Sequence, residues 1–117
     1  MEEAEVRQHA EAMCEALVAG DIDRATVDAS DELRRHMGEL VALLPLPVSE
    51  AAVESIERGG ASFAAVLRLV GQNDTVRVQT RWKDRNGEAR MVEASHLSRE
   101  ARAHLAEEGE AEQAEEG

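Results

Sequence analysis

The sequence predicts an α+β domain, with helices packed on a curved antiparallel sheet of three to four strands. Three observations predict it. Apolar residues recur at helical spacing from Val6 to Leu44. They alternate with polar ones from Thr75 to Lys83, as in a half-buried strand. An Asn-Gly pair, Asn86-Gly87, then separates that strand from a partner and is a strong short-range hairpin signal.

Taken in order, Val6, Ala10, Met13 and Leu17 form one apolar helical stripe, with Cys14 and Val18 beside it. Gly20 stops that helix, and Asp21 caps a short second one holding Ile22, Ala25 and Val27. Ser30 caps a third, whose first turn carries Asp31 and Glu32 at the positive end of its dipole. Leu33, Met37, Leu40, Val41 and Leu44 make its buried face, and Pro45 and Pro47 end it. Segment 49–58 reads two ways, since Ser49 suits a helix cap and Val53 to Arg58 alternates like a strand. A short helical turn running into a strand is expected there. Gly59-Gly60 marks a turn or bulge. Ser62 to Val70 and Glu88 to Leu97 complete the meander.

At 117 residues the chain is one ordinary domain, expected over 1–98, with an acidic, partly helical to disordered tail over 99–117. Residues 100–117 carry seven Glu and a single Arg. The whole chain has 25 acidic and 13 basic side chains, a net charge of -12, which repels nucleic acid and anionic membrane surfaces. The N-terminal Met-Glu-Glu-Ala-Glu is not a basic leader, and no stretch approaches the ~20 apolar residues of a spanning helix. A soluble, cytoplasmic protein is expected. Twelve of the 13 basic residues are Arg, and Ala and Glu abound, a usage that points to a bacterial source.

The order of elements resembles the nuclear-transport-factor-2-like superfamily, the cone-shaped fold shared with ketosteroid isomerases. The resemblance rests on Ala16 to Asp21 with Ala25, on Phe63 to Val70, and on Thr80 to Glu88 followed by Val92. It covers about residues 3–98. It implies a homodimer packed through the sheets and a pocket between the helices and the concave sheet. The isomerase-type enzymes use a Tyr hydroxyl as oxyanion donor, and this chain has no Tyr. None of that site is carried over, and fold alone supplies no activity.

Candidate site residues follow from the strands. Trp82, Arg68, Met91 and Met13 are expected to line the pocket, and Arg77, Gln79 and Arg81 to face an interface. Glu93 and His96 are alternatives for a general base. If the hairpin loop holds an even number of residues, Glu93 shares the apolar face of Trp82, where burial would raise its pKa. If the number is odd, Glu93 pairs with Arg81 or Arg77 on the other face, and His96 joins the face of Trp82. A surface ion pair is the ordinary state of such a Glu, and a structural role that of such a His. Arg68 interrupts an apolar strand and needs a partner, ordinarily a cross-strand or cross-dimer carboxylate. Cys14 reads as a small buried hydrophobe. The four histidines show no metal-ligand spacing, and no cofactor is expected. The expected function is a non-catalytic domain that homodimerises through its sheet and binds a small apolar ligand or a protein partner. The alternative is a small isomerase- or hydrolase-type enzyme with a pocket carboxylate or histidine as base.

Overall fold

A computed structural model describes residues 1–101 and shows an α+β fold with helices on one face of a four-stranded sheet. The long helix α1 spans Glu3–Val18 and buries Val6, Ala10, Met13, Cys14, Ala16 and Leu17. Gly20, at φ 78°, lets the chain leave it in the left-handed region. The short helix α2, Ile22–Ala25, is capped by the Asp21 carboxylate, which accepts from the Arg24 N–H at 3.0 Å.

The third predicted helix is two pieces. Helix α3 covers Asp31–Arg34, capped by the Ser30 hydroxyl, and α4 covers Met37–Ala42. The break falls at His36, whose φ of -117° and ψ of 31° leave helical geometry. Gly38 in the next turn lowers the propensity to continue as one helix. The apolar periodicity survives the break, and Leu33, Leu40 and Leu44 are all buried.

Strands β1 (Glu50–Gly59), β2 (Ser62–Val70), β3 (Asp74–Arg85) and β4 (Glu88–Ala101) form an antiparallel meander in the order β1-β2-β3-β4. The expected helical turn at the start of β1 is absent, because Glu50 already pairs with Val70 and Ala51 with Leu69. Strand β4 runs to Ala101, so residues 99–101 belong to the sheet. The remainder of the acidic tail lies outside the described residues. One sheet face packs under the helices. Phe63, Ala65, Leu67 and Leu69 of β2, Val76, Val78, Thr80 and Trp82 of β3, and Ala89 and Met91 of β4 are each at most 1% exposed. The chain's two aromatic side chains meet there, since Phe63 and Trp82 are direct cross-strand partners. The polar groups in this layer are satisfied: the Trp82 indole N–H donates to Thr80 Oγ1 at 2.8 Å, and that hydroxyl donates to the Ala65 carbonyl at 2.8 Å.

The β3–β4 hairpin settles the register. Its loop is the two residues Asn86 and Gly87, at φ 57° and 85°, as a tight twisted turn requires. The Asp84 carboxylate accepts from the Gly87 N–H at 2.8 Å. Trp82 therefore faces Met91. Val92 is then an extra, bulged residue, so Arg81 faces Glu93 and Thr80 faces Ala94. That register carries on to Val78 opposite His96, and a second bulge at Leu97 then puts Arg77 opposite Ser98. Beside β4, residues 28–30 add a short parallel bridge. Met91 donates its N–H to the Asp28 carbonyl, and Ser30 donates its N–H to the Met91 carbonyl, both at 2.8 Å. Among the described residues no helix is long and apolar enough to cross a membrane.

Candidate functional site

The two sheet faces divide the predicted pocket residues. Trp82 and Met91 at 0% exposure and Met13 at 5% lie in the core between helices and sheet, packed by other side chains. Arg68 lies on the outer face, half-buried, between Ala52 of β1 and Arg77 of β3. It forms no ion pair among the described residues, and its direct neighbour Arg77 carries the same charge. The outer face also holds Gln79 and Arg81, half-buried with Ala64 and Val66.

Neither candidate base is enclosed. Glu93 is exposed and accepts an ion pair from Arg81 at 3.4 Å. His96 is on the helix-side face but exposed. Two basic residues of the outer face, Arg77 and Arg81, find acids within the chain. Arg77 donates its Nε–H to both carboxylate oxygens of Glu54 at 2.9 and 3.1 Å and lies 3.7 Å from Glu100. Those contacts, first the hydrogen bond to Glu54, hold the Arg77 guanidinium above its ordinary pKa. Such exposed pairs orient side chains and add little stability.

A different cluster sits at the rim of the helix-covered side. His9, on α1, lies one residue off the buried stripe and is half-buried. Its Nδ1 is 2.7 Å from Asp28 Oδ2. The other Asp28 oxygen is 3.5 Å from Arg90 Nη1, and Arg90 also pairs with Glu88. Asp28 is held in place by its own carbonyl's bond from Met91. The His9 ring stands 6.1 Å from the Trp82 ring, tilted by 52°. A cleft of about 300 Å³ opens here, lined by Glu5, His9, Asp28, Glu88, Ala89 and Arg90. A carboxylate beside Nδ1 orients the imidazole ring, as in an oriented base. Sequence reasoning did not find this pair. The available signal was the place of His9 three residues after Val6, at the edge of the stripe, and no pattern in the sequence points from there to Asp28.

Cys14 is 4% exposed on α1, at a groove shared with Ala51 and Val53 of β1. Burial, and next the negative charges of Glu11 and Glu15, push its thiol up to about 11. At pH 8 the folded protein should react with a disulfide reagent about a hundredfold more slowly than the urea-unfolded chain, since two pKa units remove that fraction of thiolate. Equal rates in the two states would show an accessible, ordinary thiol. Among the described residues no group of three or more His, Cys, Asp or Glu is placed to hold a metal ion. Compared with known proteins, the chain matches no protein-family model and no curated protein.

Proposed function

We propose that the protein is a non-catalytic domain of the nuclear-transport-factor-2-like type that forms a homodimer through the outer face of its sheet. The observation that carries this reading is Arg68. A half-buried guanidinium without a carboxylate, directly beside Arg77, is an unfavourable arrangement in a lone subunit. A second copy packed face to face brings acids to it, because Glu50 and Glu57 point from β1 to the same outer face. Ala64, Val66 and Ala52 around it offer small side chains against which another sheet can lie. Four strands ~4.8 Å apart and about 30 Å long present on the order of 600 Å². That approaches the ~800 Å² per partner of an ordinary stable interface. The core packed with Trp82, Met91 and leucines supports a scaffold over an enzyme, as does the exposure of Glu93 and His96.

Sedimentation of the full chain tests the reading. The wild type is expected at twice the 12.8 kDa chain mass. Arg68→Glu or Val66→Glu should give a monomer that keeps its far-ultraviolet circular dichroism. A wild-type mass that stays monomeric as concentration rises would eliminate the dimer.

A further inference from the structure

A second cleft, of about 570 Å³, lies between α3 with its preceding loop and the tip of the β3–β4 hairpin. Four arginines line it, Arg34 and Arg35 from the helical side and Arg85 and Arg90 from the hairpin. This gathers nearly a third of the basic side chains of a strongly acidic chain at one place. Three carboxylates share the walls, Asp31, Glu32 and Glu88, so positive charge exceeds negative by one.

The compensation is uneven. Arg85 is 3.6 Å from Glu32, and Arg90 is paired with Glu88 and Asp28. The Glu32 carboxyl is held below the ordinary range, first by a backbone N–H, then by the Ser30 hydroxyl and by Arg85, so it stays ionised in that pair. Arg34 and Arg35 form no ion pair among the described residues. Arg34 is nevertheless fixed. Its Nε–H donates to the Ala29 carbonyl at 3.2 Å, and its Nη2 donates to the Thr26 and Val27 carbonyls at 3.2 and 2.9 Å. Neutral carbonyls hold the guanidinium without cancelling its charge. Its Nη1 protons have no partner among the described residues. A cation already ordered by its own protein loses little freedom when it takes an anion, and a guanidinium fork matches carboxylate and phosphate oxygens.

We propose that this cleft binds a small multivalent anion of the phosphate or polycarboxylate class, with Arg34 and Arg35 as its principal ligands and Arg85 and Arg90 closing the far wall. The volume suits a small molecule. The net charge of -12 disfavours a long nucleic-acid backbone, whose phosphates would extend past the cleft over an acidic surface. The cleft adjoins the His9 cleft, with which it shares Glu88 and Arg90. Its walls include none of Arg68, Arg77, Gln79 and Arg81, so the proposal does not rest on the dimer.

The test is an amide-detected NMR titration of the full chain at low ionic strength, once with pyrophosphate and once with citrate. Saturable shifts are expected at residues 29–35 and 85–90. Arg35→Ala, which removes an exposed side chain, should weaken binding about tenfold or more. Arg34→Lys keeps the charge but not the fork and should also weaken it. Arg77→Ala, on the outer face, should not. Saturation by one anion alone identifies which class the cleft takes. Saturation by neither overturns the proposal, as does an affinity unchanged by Arg35→Ala or reduced equally by Arg77→Ala.

Discussion

Replacing Trp82 with alanine is expected to lower the free energy of unfolding by about 3–5 kcal/mol, the range for deleting a large buried aromatic. Trp82 is 0% exposed at the centre of the helix-facing layer. It faces Phe63 on one side and Met91 on the other, and these neighbours sit on two different strands, so they cannot both collapse into the void. The change also removes the donor to Thr80 Oγ1, although that hydroxyl keeps its bond to the Ala65 carbonyl. A domain of this size has roughly 5–15 kcal/mol in total, so the variant should be marginal near body temperature. Urea unfolding followed by far-ultraviolet circular dichroism measures the loss, because Trp82 is the chain's only tryptophan and its fluorescence goes with it. Trp82→Phe should cost distinctly less. A loss under about 1 kcal/mol for the alanine variant would place the residue at a surface.

The weight on this residue follows from the composition. With one Phe, one Trp and no Tyr, the core has two aromatic anchors, and the fold sets them opposite each other on adjacent strands. The rest of the layer is aliphatic, with Ala65 and Ala89 letting strands and helices approach.

The architecture was legible because it rests on local signals. The α1 stripe, the Ser30 and Asp21 caps, the alternation of β3 and the Asn86-Gly87 turn each state their own geometry. Glu93 and His96 show where such reading stops. An even loop was one alternative and an odd one the other, yet the hairpin is even at its turn and shifted beyond Val92. Met91 is therefore inside as in the even register, while Glu93 meets Arg81 as in the odd one. A bulge at a valine leaves no mark in composition, because it is a matter of how β4 pairs with β3 and not of residue type. The anchoring of Arg34 was equally hidden. Arg34 turns back onto the carbonyls of Thr26, Val27 and Ala29, a tertiary contact with no periodicity to announce it.

The His9–Asp28 pair should prove the main tie between α1 and the segment leading into α3. Asp28→Ala is expected to cost about 1–3 kcal/mol, because it leaves His9 without its partner and Arg90 with Glu88 alone. His9→Ala removes one contact and should cost less. The two side chains are 32% and 20% exposed, which keeps both figures below those of a fully buried pair. In the double variant the losses should not add. Once Asp28 is gone, His9 has nothing to hold, so a coupling of about 1 kcal/mol is expected from the cycle. Urea unfolding read by Trp82 fluorescence suits this measurement, with the His9 ring 6.1 Å from the indole in the folded state. Strict additivity would mean the 2.7 Å contact contributes nothing in solution. Coupling would mean that α1 is held at its middle by a specific polar tie as well as by its apolar face, so any molecule entering the neighbouring cleft meets an imidazole already fixed in orientation.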